Sequence, residues 1–452
     1  MTVTTDSIRN IAVAGHGATG KTTLVESLLF SAGAIPRAET VESGKTASDF
    51  TEEEIANSYS IRTSLVHTTW SDRKINLLDT PGASDFVGEV VAGFRATESA
   101  LMVVAARAGV QIETIKLWRR LDQRSMPRFV YISKLDEERA DFGRVVSDLS
   151  ERFKTTFVPV AIPIGEGTDF RGVINLVDMK AYMIPDQNDK ESAVDIPDDM
   201  KDAVEAARAE LIAAAAEGDE ELEMKYLEEE TLDPGEILRG LSQALRDNKI
   251  VPVLCGSALK NSGGASLLNF IAEVAPSPTG MQDTALDAEG QQSEVAIDSS
   301  GNFSGYVWKT TIDQFSGKLS FIKVVTGALN GDTDLYNVRE QKKERAGKIY
   351  TAQGKKLEEV PEIVAGDIGV LAKIATAQTN DTLATPDKPV NYVPLRLPQP
   401  VHSVAIEAVN RKDEDKLAQM LGRATEEDKT FIVKYNPETR ELPRRNTTEH
   451  TY

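Results

Sequence analysis

A single cysteine, Cys255, stands among the 452 residues, so no internal disulfide can form and a reducing, cytoplasmic setting is expected. No apolar run approaches the roughly 20 residues that a membrane span needs. The polar start MTVTTDSIRN has no apolar signal-peptide core. No membrane partner is therefore expected. Positive charge is also short. Lys and Arg number 51 against 71 Asp and Glu, a net charge of −20. A surface of that sign repels polyphosphates, which excludes non-specific nucleic-acid binding over the whole molecule and leaves an RNA partner only local basic loops. Much of the acid lies in runs such as Glu217–Glu230, read as solvated faces. What is present is ordinary for a folded protein, with 40% apolar and 27% charged residues. The length implies two to four domains.

The chain opens on a strand pattern, Ile8–Val13, then a glycine-rich turn, Gly15–Gly20, then a helical pattern from Lys21 to Phe30. Further buried-strand runs are Ile75–Leu78, Leu101–Ala105, Phe129–Ile132 and Val251–Cys255, most of them separated by helical segments. Alternating strands and helices predict a parallel sheet covered on both faces. Between about 157 and 248 the pattern changes. Val158–Ile164 and Gly172–Val177 read as strands and Asp198–Glu230 as one or two helices, together an insertion without a phosphate or base motif. The polar stretch Met281–Asn302 reads as a linker. Short alternating runs from Phe303 to Asn391, broken by turns such as Ser316-Gly, Asn330-Gly and Ala365-Gly-Asp, predict a small β-barrel. After Pro398 the reading is strand (His402–Ala408), helix (Glu414–Glu427) and strand (Phe431–Tyr435), and the tail from Leu442 shows no strand-like run. The expected domains are residues 1–280, 281–395 and 396–452. The expected fold class is α/β: a P-loop domain with an inserted α/β subdomain, a small β-barrel, and a partial α+β domain of ferredoxin-like type.

Gly15-His16-Gly17-Ala18-Thr19-Gly20-Lys21-Thr22, followed by Thr23, matches the P-loop pattern in full and in the required strand–loop–helix context. Its backbone N–H groups and the helix N-terminus suit phosphate oxygens. Lys21 brings a charge to the β- and γ-phosphates, and Thr22 a hydroxyl to Mg²⁺. Asp79-Thr-Pro-Gly82 ends a strand, where a carboxylate can hold Mg²⁺ through water and the Gly82 N–H can meet a γ-phosphate. Ser133-Lys134-Leu-Asp136 also ends a strand. A carboxylate at Asp136 can accept both N1–H and N2–H₂ of guanine, a donor pair that adenine lacks. Gly256-Ser257-Ala258 lets backbone N–H groups approach the guanine O6. Each tetrapeptide alone is also an ordinary turn or surface pair. In this order the four read as a site for GTP or GDP with Mg²⁺. His16 is read as pointing to solvent or packing locally, with contact to phosphate as the alternative, His67 as structural, and Trp70 and Trp308 as core. Arg62, Arg95 and Arg107 are candidates for phosphate or RNA contact that no spacing separates.

With these motifs the chain resembles translational GTPases of the elongation factor G type. Asp79-Thr-Pro-Gly-Ala-Ser-Asp-Phe-Val-Gly-Glu-Val, Val251-Pro-Val-Leu-Cys-Gly-Ser-Ala and Pro398-Gln-Pro-Val-His-Ser-Val-Ala-Ile-Glu are close to that family's segments. The resemblance covers almost the whole chain. It implies the insertion in the G domain, a barrel second domain, the start of a third domain, and a monomeric cytoplasmic factor whose partner is the ribosome. Four departures qualify it. The family's histidine after D-T-P-G, which orients the attacking water, is here Ala83, so no catalytic residue is assigned. Ser60 stands where a Mg²⁺-binding threonine is usual. Ala18 replaces an aspartate in the P-loop, and Ser133 an asparagine in the base motif. The chain stops within the third domain, and the resemblance then makes translocation by this chain alone doubtful. This combination is similar to the divergent elongation factor G-like branch. The implied function is a ribosomal GTPase with slow or impaired hydrolysis. A non-hydrolysing GTP-binding module and a ribosome-protection-type factor are the alternatives.

Overall fold

Long stretches of Val, Ile, Leu and Ala bury both faces of the central strands, as parallel sheets covered by helices require. The computed structural model describes residues 2–186, 189–287, 289–313, 316–387, 389–400, 402–434 and 442–446. Its elements run β1 (Ile8–Ala14), α1 (Lys21–Ser31), α2 (Glu52–Asn57), β2 (Ser64–Trp70), β3 (Arg73–Asp79), α3 (Val87–Ala96), β4 (Ser99–Ala105), α4 (Ile112–Gln123), β5 (Arg128–Ser133) and α5 (Phe142–Phe153). They continue with β6 (Thr156–Pro159), β7 (Ala161–Ile164), β8 (Gly172–Asn175), β9 (Lys180–Met183), β10 (Ala193–Val194), α6 (Lys201–Ala216), α7 (Glu220–Glu229), α8 (Pro234–Arg246), β11 (Ile250–Cys255) and α9 (Gly264–Glu273). Chain contacts divide the protein into two compact units. One is Arg9–Gly82 with Thr97–Pro276, and the other is Thr2–Ile8 with Ala83–Ala96 and the chain from Ser277 on.

The first unit is built on a seven-stranded sheet of order β2-β3-β1-β4-β5-β11-β6. The pairs β1–β4, β4–β5, β5–β11 and β11–β6 are parallel as expected, but β2 runs antiparallel to β3. The two are joined by a tight turn at Ser71 and Asp72, which leaves no room for a crossover helix. The expected single strand Val158–Ile164 is two strands. β6 stays in the main sheet, while β7 opens a four-stranded antiparallel sheet of order β10-β9-β8-β7. Val160 lies at the junction. Its N–H donates to the Val253 carbonyl (2.8 Å) and its own carbonyl accepts Leu176 N (2.9 Å), so it hands the chain from one sheet to the other. Within the insertion α8 starts on a capping box, Asp233-Pro-Gly-Glu236, and buries Ile237, Leu241, Ala244 and Leu245 on one stripe.

The second unit holds β12 (Gln282–Leu286), β13 (Gln292–Ala296), β14 (Ser304–Asp313), β15 (Gly317–Thr326), β16 (Ala328–Asn330), β17 (Asp334–Asn337), β18 (Lys342–Arg345), β19 (Ile349–Gln353), β20 (Lys356–Glu359), β21 (Glu362–Val364), β22 (Ile368–Ala372), β23 (Thr382–Ala384) and β24 (Asn391–Tyr392). Eight of them form one sheet of order β18-β17-β23-β14-β15-β22-β19-β20 around a core that includes Val307, Ile322, Val324, Leu335 and Leu371. Trp308 is fully buried here, as read. The stretch read as a linker is a hairpin, β12 against β13. Its apolar content is low because β13 is almost wholly exposed, and backbone pairing with β12 together with a hydrogen bond from Thr284 Oγ1 to Glu294 (3.3 Å) joins the two strands.

The last elements are β25 (His402–Ile406), α10 (Glu414–Glu427), β26 (Ile432–Val433) and β27 (Leu442–Asn446). β27 corrects the reading of the tail. It is the middle strand of a three-stranded antiparallel sheet, β25-β27-β26. Leu-Pro-Arg-Arg-Asn has no alternation to announce a strand, and the free edges of β25 and β26 recruit it. Tyr435 and residues 447–452 lie outside the described residues.

Candidate functional site

The carboxyl ends of the central strands bring the motifs of the first unit together, the place where ligands bind in sheets of this kind. β1 runs into the P-loop at Gly15, and α1 begins at Lys21 behind Gly20, whose φ of 86° reverses the chain. β3 delivers Asp79 beside it, because Thr80 donates both its N–H (3.2 Å) and its hydroxyl (2.8 Å) to the Val13 carbonyl. Gly82 then packs against the loop so closely that a Cβ would lie 2.8 Å from Gly17 N and Cα. Ala18 holds a left-handed φ of 61°, a conformation that Asp or Asn adopts more readily than Ala. The exchange from the usual aspartate therefore leaves about 1 kcal/mol of local strain. Thr19 is buried and donates its hydroxyl to the His16 carbonyl (2.9 Å). Thr23 is half-buried in the first turn of α1.

Lys21 is buried, and its ammonium donates to the carbonyls of Gly15 (3.1 Å) and His16 (3.0 Å). Burial brings its pKa down to about 8, against the pull of Asp79 and Asp49. His16 is half-buried, and its Nδ1 is enclosed without a hydrogen-bond partner. Burial lowers its pKa despite Glu113, with Lys21 adding to the fall, which favours the neutral ring. The Thr22 and Ser60 hydroxyls lie 3.1 Å apart and are both buried. Both oxygens of the fully buried Asp79 carboxylate lack a well-aligned donor. Burial pushes its pKa up to about 6, although the nearby Thr22 and Ser48 hydroxyls and the Lys21 ammonium pull it back. Asp49, raised to about 7 by burial and by Asp79, adds a second buried carboxylate whose Oδ2 also lacks a partner. Buried acids that end without donors are unfavourable unless a cation or a proton joins them. The arrangement of hydroxyls and a partnerless carboxylate therefore fits Mg²⁺.

Reading the sequence did not find Asp49, Ser48 or the role of Glu54. Glu54 is buried, and one of its oxygens accepts Ile61 N (3.1 Å) and Arg62 N (3.0 Å), which fixes the backbone beside Ser60. Its other oxygen closes a capping box with Thr51 at the start of α2. That T-x-x-E spacing is legible in sequence, whereas the burial of Asp49 is not.

On the base side, Ser133 ends β5 and donates its hydroxyl to the Thr19 carbonyl (2.7 Å), which ties this loop to the P-loop. Lys134 takes a φ of 61°, and its Cε passes 3.8 Å from where a Cβ on Gly20 would sit. Its ammonium pairs with Glu137 (2.9 Å). Asp136 is half-buried. The Ser133–Asp136 and Gly256–Ala258 loops are knitted by Gly256 N to Ile132 O (3.0 Å) and Leu135 N to Gly256 O (3.3 Å). Ser257 is buried, and Ala258 half-buried.

Ala83 belongs to the second unit, where it is exposed and precedes a single turn, Ser84–Phe86. Among the candidate arginines, Arg95 is engaged. Its guanidinium grips Asp283 with two bonds (2.7 and 2.6 Å) and lies 4.0 Å from the Tyr306 ring centre. Trp70, read as core, is half-buried and donates Nε1–H to Asn269 (2.8 Å). No helix among the described residues is long and apolar enough to cross a membrane.

Comparison with known proteins agrees with this order of parts. The Elongation factor Tu GTP binding domain family matches residues 6–277, Elongation factor G domain 2 matches 302–386, and Elongation Factor G, domain III matches 397–443. An elongation factor G-like protein of Thermotoga maritima is 36% identical over 436 residues, which is 96% of this chain and 62% of that protein. A crystal structure of a Thermus thermophilus protein superposes with a TM-score of 0.86 at 30% identity, covering 98% of this chain and 64% of the other. The chain thus spans a little under two thirds of the length of these relatives. By family match, identity and fold, it belongs to the elongation factor G-like translational GTPases.

Proposed function

We propose that this chain binds GTP and GDP with Mg²⁺ and works on the ribosome as an elongation factor G-like protein whose hydrolysis is slow or impaired. The observation that carries the reading is the Asp79 carboxylate, buried and without aligned donors, beside the Thr22–Ser60 hydroxyl pair and the Lys21 ammonium. In this reading Thr22 and Ser60 bind Mg²⁺ directly, and Asp79 acts through water. The backbone from Gly15 to Gly20, with Thr23, surrounds the α- and β-phosphates, Lys21 brings its charge to the β- and γ-phosphates, and the Gly82 N–H meets the γ-phosphate. Asp136 accepts the guanine N1–H and N2–H₂, Lys134 lies along the base, and the backbone of Gly256–Ala258 approaches O6. Bound Mg²⁺ would neutralise phosphate charge. We assign the nucleotide domain to residues 1–280, with its insertion about 157–248, a barrel to 281–395 and part of a third domain to 396–452. The working form is a cytoplasmic monomer.

Impaired hydrolysis follows from Ala83. A methyl group neither accepts nor donates a hydrogen bond, so it cannot orient an attacking water, and positioning is most of what an enzyme supplies to phosphoryl transfer. The same residue favours the second reading, a module that binds GTP without hydrolysing it. GTP turnover by the purified chain and by Ala83→His, each with and without ribosomes, tests both. An inert wild type together with ribosome-stimulated turnover in Ala83→His supports a factor specialised for binding. Fast wild-type turnover on ribosomes removes the claim of impairment. A wild type and a variant that both hydrolyse GTP at a rate ribosomes leave unchanged overturn the ribosomal reading.

A further inference from the structure

The inserted sheet grips α9 at successive turns. From the end of β8, Asn175 Nδ2 donates to Ser266 Oγ (2.9 Å). On β9, Tyr182 Oη accepts Asn269 Nδ2 at 3.5 Å. Between β9 and β10, Glu191 accepts Gly263 N at 2.6 Å with one carboxylate oxygen and Ala265 N at 2.8 Å with the other. The third contact meets a specific need. α9 starts behind Gly263, at φ 89°, and has no side-chain cap of its own. The first N–H groups of a helix have no partner within it. Glu191 supplies both acceptors from outside, and the positive end of the helix favours its charge.

That first turn is connected to the base loop with little slack. Ser262, just before it, exchanges two backbone hydrogen bonds with Ser257, each 2.9 Å. Tyr131 Oη donates to the Ser262 carbonyl at 3.3 Å. A Cβ on Gly256 would stand 2.2 Å from that carbonyl oxygen and 2.3 Å from Tyr131 Oη. A displacement of Gly263 must therefore move Ser262, and through it Ser257.

We infer that Glu191 is a positioning residue for guanine recognition: by holding the Gly263–Ala265 turn it sets the Ser257–Ala258 backbone against the O6 of the base. The inference rests on the proposal that this loop reads O6. It makes the insertion a working part of the base site. Two donors require two acceptors. Glutamine keeps one acceptor and turns an amide N–H₂ toward the other donor, so it should act as a half-cap.

The test is calorimetric titration of the full chain with GDP and with 6-thio-GDP, in which sulfur, a weak acceptor, replaces O6. The proteins are wild type, Glu191→Ala, Glu191→Gln and, as a control on the same segment, Lys190→Ala. Glu191→Ala is expected to weaken GDP about tenfold, in line with one lost polar contact, and 6-thio-GDP by less than about twofold. The preference for GDP then collapses, with Glu191→Gln between and Lys190→Ala unchanged. Equal losses for both nucleotides would reduce Glu191 to an ordinary helix cap, and no loss for either would remove it from the site. If Glu191→Ala does not fold, the GDP to 6-thio-GDP ratio of Glu191→Gln decides on the same terms. A wild type that binds no guanine nucleotide overturns the base-site reading itself, an outcome separate from the others.

Discussion

Adding one methyl group at Gly82 probes the closest approach in the phosphate half of the site. A Cβ there would stand 2.4 Å from Lys21 Nζ and 2.8 Å from Gly17 N and Cα. The ammonium is the end of a flexible chain and can swing away. The Gly17 backbone cannot, since the P-loop is pinned by β1 behind it and by Ser133 on Thr19. Ordinary contact begins at 3.4 Å, so 3.4 − 2.8 gives at least 0.6 Å by which the two loops must part. Overpacking of this kind costs about 1–3 kcal/mol. At about 1.4 kcal/mol per tenfold, Gly82→Ala should weaken nucleotide about 5- to 150-fold. The loss should be larger for GTP than for GDP, because the displaced N–H is the one proposed to meet the γ-phosphate. Equilibrium titration with fluorescent GTP and GDP analogues measures both, and the circular dichroism spectrum checks the fold. A variant that bound both like wild type would refute the reasoning, since the Gly82–Gly17 packing would then play no part in the nucleotide-bound state.

Asp136→Asn should weaken GDP about 100-fold and raise affinity for xanthosine diphosphate, because the amide can donate where guanine itself donates; unchanged base preference in a competition assay would take Asp136 out of the base site. Arg95 and Asp283 form a largely buried bidentate pair, so Arg95→Ala should cost the second unit about 3 kcal/mol by stranding the carboxylate. A double-mutant cycle with Asp283→Ala, followed by denaturant unfolding, should show coupling above about 1 kcal/mol, and additive losses would mean the pair contributes little. For pH, burial holds the Glu191 carboxyl up to about 7, above its usual 4.5. An acid raised on folding stabilises fully below its unfolded pKa and loses that contribution as pH rises through the folded one. The groups facing it, Tyr131 and Tyr182, are phenols raised above their usual range and stay neutral there, and Asp178 hydrogen-bonds Tyr182 (2.6 Å). Between pH 5 and 8 wild type should therefore lose on the order of 1 kcal/mol of stability relative to Glu191→Gln, read as a falling difference in thermal midpoint; a difference independent of pH would show that Glu191 does not titrate in that window.

The strands that end in motifs could be read directly. Their apolar runs are continuous because both faces are covered, and Lys21, Asp79, Ser133 and Gly256 follow them at fixed offsets. The α10 range was legible for a similar reason, a clear period bounded by acids at its start. The antiparallel β2, the break at Val160, the β12–β13 hairpin and β27 were not legible. Each depends on which backbone edges are available for pairing, and that information is not carried by local composition.

The residue types of the motifs, including Ala83 and Ser60 at positions where the resemblance has a histidine and a threonine, could be read from the sequence alone, because motif spacing identifies those positions. The burial of Asp49 beside Asp79, the closure of Gly82 on Gly17 and the hold of Glu191 on α9 were decided only by the tertiary structure. Desolvation and close approach are properties of neighbours distant in the chain. Glu191 lies 72 residues from Gly263, and nothing in the intervening sequence states that one will cap the other.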